Sequence, residues 1–311
     1  MTKAALQDRM KARFSLSGLI KPVLAPLVSA YRQLLLERSP LSDWIIKLNY
    51  YRNGPLGLVL LVRDEVDVVR ENLLFYLDHG VDFMIITDNA STDGTREILG
   101  EFSRQENVIV LDEPGTNYDQ ARWVSRMVDL ARSRFKAKWV IPADADEFWL
   151  PADGDYRSDL HHASNVYFVH WNNLLPEPGR DWKSFDKVGD FDAYKSRVKV
   201  MTGTVGFRRM NFGNHNVEII PKVESKSGNI KIYHYPVRSY EQFERKIVNG
   251  YRAIRSNLTV TPDTCHHWQE WYDAYEKGVL PSVYAAFAEQ ARVDRVDQTM
   301  ARYFSNQLRG S

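Results

Sequence analysis

The segment GLVLLVRDEVDVVRENLLFYLDHGVDFMIITDNASTDGT, residues 57–95, decides the fold, and WVIPADADEFW, residues 139–149, completes the pattern it begins. Gly57 to Val62 is an unbroken apolar run, the signature of a strand covered on both faces, and it closes on Arg63-Asp64-Glu65. Val66, Val69, Leu73, Leu74 and Leu77 then recur at helical spacing up to Gly80, a natural helix end. A second strand, Phe83 to Thr87, runs into Asp88-Asn89, and Ser91 or Thr92 is expected to cap a helix that carries Ile98, Leu99 and Phe102. Asn107 to Leu111 reads as a third strand and Tyr118 to Phe135 as an amphipathic helix with Trp123, Met127, Leu130 and Ala131 inward. Lys138 to Ala143 is a fourth strand, and it opens directly into Asp144-Ala145-Asp146-Glu147-Phe148-Trp149.

Alternating strands and helices predict an α/β fold with a mostly parallel, doubly wound sheet. In such sheets ligands bind beyond the carboxyl ends of the strands. Three of the four strands end there in acidic or polar clusters, Asp64/Glu65, Asp88/Asn89 and Asp144/Asp146. From Pro151 to Pro236 the pattern changes to short strands at Val166 to Trp171, Arg197 to Met201, Val217 to Pro221 and Ile230 to Tyr235, which predicts a smaller antiparallel portion. Helices are expected at Tyr240 to Arg255 and Ser282 to Tyr303. The expected organisation is a basic helical lead-in (1–53), a main domain (54–255) with halves at 54–150 and 151–255, and a C-terminal helical extension (256–311).

Acidic and basic residues nearly balance, 41 Lys+Arg against 40 Asp+Glu, so no general attraction to nucleic acid is expected. The lead-in departs from this balance, with nine Lys/Arg against three acids over residues 1–52. Mixed with its apolar positions, that charge suits either a peripheral anchor through residues 1–40 on an anionic membrane or a helix packed on protein. Leu16 to Leu36 is broken by Lys21, Pro22, Pro26 and Arg32, so neither a signal peptide nor a spanning helix is expected. Cys265, the single cysteine, can make neither an internal disulfide nor a thiolate zinc site. A cytoplasmic chain follows as the expectation, with peripheral contact at the inner face of the membrane.

Asp144 and Asp146 stand two apart on an extended backbone, which turns both carboxylates to one side. Hard oxygen ligands of that kind suit Mg2+ or Mn2+, which complete their shells with phosphate oxygens and water. An Asp-x-Asp pair also arises by chance in loops, and it is the position after a buried strand that favours the metal here. Phe148 and Trp149 are read as core anchors for that loop. Asp88 is placed to bind a base or ribose, with a helix cap as the rival reading.

These two segments resemble the family 2 glycosyltransferases, and in particular a branch whose metal motif reads D-x-D-E-F. The resemblance is strongest over residues 57–150 and extends weakly through FGNHNVE (212–218) and IYHYPVRSYEQFERKI (232–247). It implies a GT-A fold, a nucleoside-diphosphate sugar donor and a single inverting displacement. It also implies Glu65 and Asp88 at the nucleobase and ribose, Asp144 near the ribose and metal, Asp146 on the metal, and His234 as a further metal or diphosphate contact. The Gln-x-x-Arg-Trp pattern of processive synthases is missing, which argues against a polymerase.

Inversion requires a general base. Glu218 is the choice among Glu218, Asp181 and Asp186, and an outward-facing strand position is its competing reading. His215 is read as orienting an acceptor or a phosphate, or as structural. Lys195, Arg197, Lys199, Arg208 and Arg209 form a basic face, either solvated or turned to donor phosphates or an anionic acceptor, and Arg245 and Lys246 are expected to be exposed. The function expected is metal-dependent transfer to a glycan or lipid-linked acceptor in surface polysaccharide assembly. Two alternatives remain at this point: a sugar-nucleotide pyrophosphorylase, although Leu61 to Glu65 lacks that class's glycines, and a catalytically silent glycan-binding module.

Overall fold

Strand β1 (Leu56–Val62) is the centre of the sheet because it is apolar on both faces, and it pairs in parallel with β2 (Phe83–Asp88) and β4 (Trp139–Asp144). Strand β3 (Val108–Asp112) continues the parallel set beyond β2. The computed structural model describes residues 54–115, 119–160, 164–190, 198–256 and 266–310. Expectations for the lead-in, for Lys195 and Arg197 and for Cys265 fall outside those residues.

The two faces of β1 feed two cores, as a period of two requires. Leu58, Leu60 and Val62 join Leu73 and Tyr76 of α1 (Val69–Asp78) and Leu99 and Phe102 of α2 (Thr95–Phe102). Val59 joins Val124, Met127 and Val128 of α3 (Gln120–Arg134) on the other face. Helices therefore cover both sides of the parallel set, the α/β architecture read from the sequence.

Beyond β4 the sheet turns antiparallel. A short strand, β5 (Glu147–Pro151), leaves the sheet after the Asp144–Asp146 turn, while β6 (Val166–Leu174), β7 (Lys187–Asp190) and β8 (Val198–Gly203) extend it in the order β4-β8-β6-β7. The hairpin of β9 (Phe207–Met210) and β10 (Val217–Ile219) stands as a separate two-stranded unit. Strand β11 (Glu224–Lys226) adds to β6, and β12 (Ile230–His234) pairs with both β5 and β6, which brings His234 opposite Glu147. Helices α4 (Tyr240–Ser256) and α5 (His266–Glu276) follow.

Two expectations are corrected. Ser91 and Thr92 do not cap α2. Ser91 Oγ accepts from Asp64 N (3.0 Å) and Thr92 N donates to Asp64 Oδ1 (2.8 Å), stitching the turn to the end of β1. Gly94 holds the N-cap position with no side-chain bond, and Asp93 before it closes the turn, accepting from Thr95 N at 3.0 Å and from Thr95 Oγ1 at 2.6 Å. The helix expected over 282–303 is divided into α6 (Leu280–Gln290), the strand β13 (Arg292–Val296) and α7 (Thr299–Gly310). The free edge of β7 captures β13 by antiparallel pairing, a tertiary demand that overrides local helix preference. Met300 and Phe304 of α7 then enter the main core, so this part of the chain is built into the fold. Among the described residues no helix is long and apolar enough to cross a membrane.

Candidate active site

A cavity of about 380 Å³ opens at the carboxyl ends of β1, β2 and β4. Its wall includes Asp64 and Glu65 after β1, Asn89 after β2, and Asp144 and Glu147 flanking the turn after β4. Lys199 and Trp171 face it from the antiparallel strands, Phe212, Gly213 and His215 from the β9–β10 connection, and Gln242, Arg245, Lys246 and Asn249 from α4.

The turn at residues 144–147 is held from below. Glu147 is fully buried, its carbonyl accepts from Asn72 Nδ2 (2.8 Å) and Tyr76 Oη (3.1 Å) on α1, and its carboxylate accepts from Asp144 N and Trp149 Nε1, both at 3.2 Å. Phe148 and Trp149 have no exposed surface and anchor the turn in the core. The turn is therefore a rigid mount for two carboxylates.

Each aspartate of the pair meets a lysine. Asp144 Oδ2 lies 2.5 Å from Lys199 Nζ, which also reaches Glu147 at 3.0 Å. Burial opposes the Lys199 ammonium, but the two carboxylates hold its pKa above the ordinary lysine value. Asp146 is 4% exposed and lies 2.8 Å from Lys246 Nζ, 3.5 Å from His234 Nε2 and 3.9 Å from Arg238. Burial alone pushes the Asp146 carboxyl up, yet Lys246, His234 and Arg238 together keep it well below the carboxylate range. Asp146 is thus an ionised group waiting in a dry, positively lined corner.

His234 is oriented by Asn173, whose Oδ1 lies 2.8 Å from Nδ1. With the amide oxygen as acceptor, Nδ1 carries the hydrogen and Nε2 is turned to the Asp146 carboxylate. A lone pair and a carboxylate so placed repel unless a positive centre lies between them, either a proton on Nε2 or a metal ion. The donor set, a carboxylate and an imidazole whose second nitrogen is hydrogen-bonded, fits a divalent cation. Among the described residues no three His, Cys, Asp or Glu side chains converge as a metal cage, so a cation there would draw most of its shell from substrate oxygens and water.

The other sequence-derived residues divide. Glu65 lines the cavity, but its carboxylate is bound by the guanidinium of Arg238, which also reaches Asp67 at 2.7 Å. Burial raises the Glu65 pKa and Arg238 only partly offsets it. Asp88 is buried and accepts from Ser91 N at 3.2 Å, a turn contact, while the neighbouring Asn89 reaches the cavity wall. Glu218 is outside the cavity wall. It sits exposed on β10 and pairs with the exposed Arg209 across the hairpin at 2.7 Å, the outward-facing arrangement weighed against a catalytic role. Asp181 caps a short turn through Lys183 N (3.0 Å) and Asp186 lies 3.7 Å from Arg180, and neither lines the cavity.

Sequence reading placed Arg245 and Lys246 in solvent, and both are in the wall. Gln242, Arg245, Lys246 and Asn249 follow the i, i+3, i+4, i+7 spacing of one helix face, a polar stripe that was available as a signal. Arg245 binds Asp67 at 3.1 Å and Asn249 binds Asp64 at 2.7 Å, so α4 closes the cavity against the β1 end.

Among solved structures, S. aureus TarS 1-349 in complex with UDP-GlcNAc is similar at 12% identity over 73% of this chain and 71% of that one, with a TM-score of 0.37. A 4-diphosphocytidyl-2C-methyl-D-erythritol synthase is similar at 13% identity over 50% of this chain and 77% of that one, with a TM-score of 0.29. Likeness this slight carries over neither donor nor acceptor. No curated protein matches the chain in sequence. The model of glycosyltransferase family 92 matches residues 61–249, more than half of the chain and the whole span from the end of β1 through the cavity-lining part of α4. Of the resemblance read from the sequence, the glycosyltransferase class is borne out and family 2 itself is not: the chain belongs to glycosyltransferase family 92.

Proposed function

We propose that this glycosyltransferase uses a nucleoside-diphosphate sugar, binds it with Mn2+ or Mg2+ at Asp146 and His234 beside Asp144, and transfers the sugar with inversion to a hydroxyl of a glycan or lipid-linked acceptor. The observation that carries the reading is the meeting, in one cavity at the strand ends, of Asp144 with Arg245 and Lys246 of α4, with Asp146 buried just behind the wall against Lys246. Two classes of charge then face one another, as a diphosphate and its counter-ion require. When bound, the cation neutralises charge on the departing diphosphate. Lys246, held by Asp146, and Arg245, held by Asp67, stand in the cavity wall where each would add a charge-assisted hydrogen bond to phosphate. Asp64, Glu65 and Asn89 line the β1–β2 side, where the nucleoside would lie. Phe212, 53% exposed, and Trp171 supply aromatic faces for a sugar ring on the acceptor side.

The test is nucleoside diphosphate release from a panel of nucleotide sugars with Mn2+ or Mg2+. Release is expected for one donor class, and Asp146→Asn should lower it by at least ~100-fold, the scale for loss of a group that acts on transition-state charge. Full activity of the native enzyme in excess chelator would remove the cation from the reading. Pyrophosphate in place of nucleoside diphosphate would mark a pyrophosphorylase, and no turnover of any donor would leave a binding module.

A further inference from the structure

We propose that His215 is the general base that takes the proton from the acceptor hydroxyl, a role that rests on the sugar-transfer reading above. His215 follows the short turn Phe212–Asn214 and lines the same cavity as Asp144. That turn is laced to the metal end of the cavity. Gln120 Oε1 accepts from Gly213 N at 2.9 Å while its Nε2 reaches Asp144 Oδ1 at 3.5 Å, and Asn214 Nδ2 reaches the same oxygen at 3.5 Å. The imidazole is thereby held in register with the diphosphate end of the donor.

The tautomer is set by the backbone. His215 Nδ1 lies 2.7 Å from the carbonyl oxygen of Val198, and a carbonyl can only accept, so Nδ1 carries the hydrogen. Nε2 is left with its lone pair, and among the described residues it has no hydrogen-bond partner. Trp171 packs edge-on against the ring, centroids 5.4 Å apart, and fixes its tilt. Gly213 keeps the working nitrogen open. At φ +73° a Cβ there would lie 2.6 Å from His215 Cδ2 and 2.8 Å from Nε2, so a side chain at 213 would press on the atom that must meet the acceptor.

The surroundings keep the ring neutral. Burial pushes its pKa below the usual imidazole value; the Val198 carbonyl opposes this, Lys199 on β8 supports it, Asp144 on β4 opposes it and His234 on β12 supports it. The carboxylates in the cavity wall are all committed elsewhere. Asp64 is held by Thr92 and Asn249, Glu65 by Arg238, Asp144 by Lys199, and Glu147 is fully buried with Lys199 and Trp149. In the step itself the acceptor O–H proton moves to Nε2 and the oxygen bonds to the anomeric carbon. The anomeric C–O bond to the diphosphate breaks with its electron pair leaving on the nucleoside diphosphate, and the imidazolium returns its proton to water after product release.

The experiment uses the full chain, the nucleotide-sugar panel and simple methyl glycosides, with water as the background acceptor. If the native enzyme turns over no donor, the sugar-transfer reading fails and this inference falls with it. With a donor in hand, His215→Gln and His215→Ala are expected to cut turnover by about 100-fold or more, while nucleoside diphosphate affinity and melting temperature stay near native. Added imidazole should partly restore His215→Ala. The native pH–rate profile should fall on its acid side below the ordinary imidazole value of about 6.5, and both variants should lose that limb. The product's anomeric configuration should be inverted. Turnover within about threefold of native, retention of configuration, or a loss of nucleotide affinity that accounts for the whole effect would each overturn the proposal while leaving sugar transfer intact.

Discussion

Arg238 has no exposed side-chain surface and bridges Glu65 and Asp67 from the far end of the domain, with Tyr235 O accepting at 3.2 Å. It joins the β1–α1 connection to the β12–α4 connection, the same two walls that Arg245–Asp67 and Asn249–Asp64 hold together. Replacing it with methionine keeps volume but leaves the partly buried Glu65 without its guanidinium and Asp67 with Arg245 alone. The expected cost is at the lower end of about 3–5 kcal/mol, because Glu65 and Asp67 retain some contact with water. Chemical denaturation measures it, and an unchanged midpoint would show the pair to be solvent-compensated. At this scale the sequence is legible where chemistry is local. Asp144 and Asp146 announce themselves by following a buried apolar run, and Phe148 and Trp149 by following the carboxylates. The partners of those carboxylates are not legible, since Lys246 lies 100 residues from Asp146 and Arg238 lies 173 from Glu65. Glu218 illustrates the same limit: its residue type suited a base, but only the β9–β10 hairpin shows it on the outward face, paired with Arg209 and outside the cavity wall.

Among the elements, α4 changes most between sequence and structure. Its apolar residues Phe243 and Ile247 pack with Leu280 and Val237 in a small core of their own, which turns Gln242, Arg245, Lys246 and Asn249 to the cavity. Amphipathicity predicts such a helix but not what its polar face meets, and solvent is the usual answer. Here the polar face meets Asp64, Asp67 and Asp146. Lys246→Ala should weaken nucleoside diphosphate binding by about 1.5–3 kcal/mol, the range for a charge-assisted hydrogen bond, with Arg245→Ala smaller because Arg245 is held by Asp67 and Asp93 rather than beside the Asp144–Asp146 turn. Titration calorimetry in Mn2+ reads both. Unchanged affinity in both variants would confine these residues to holding the carboxylates in place. Strands β1 to β4 were legible nearly to the residue because each is a short β-branched or aliphatic run bounded by turn signals, whereas β13 was not, because its partner edge lies more than 100 residues earlier in the chain.

For the whole molecule, the decisive question is whether the segment after residue 298 is an appendage or part of the fold. Its composition reads as a helix added to a finished domain, and the family match ends at residue 249, which invites the same reading. The packing argues otherwise. Phe304 is 5% exposed and meets Phe148, Trp182 and Tyr235 with ring centroids 5.4, 5.2 and 6.4 Å apart, edge to face in each case. Phe148 belongs to the turn that mounts Asp144 and Asp146, so α7 supports the active-site turn from behind. Tyr303 and Gln307 add hydrogen bonds to Asp78 at the end of α1, at 2.8 and 2.7 Å. Phe304→Ala should therefore cost about 3–5 kcal/mol, the range for a buried phenylalanine, and removal of residues 299–311 should cost more, because it strips one side from the same aromatic cluster. An appendage predicts a truncated chain with native melting temperature and native nucleotide binding. A structural α7 predicts a lower melting temperature, and loss of nucleotide affinity even below that melting point, since the turn loses its backing before the sheet unfolds. Thermal denaturation and nucleotide titration of the truncated chain separate these outcomes, and native behaviour in both would return α7 to the status of an extension.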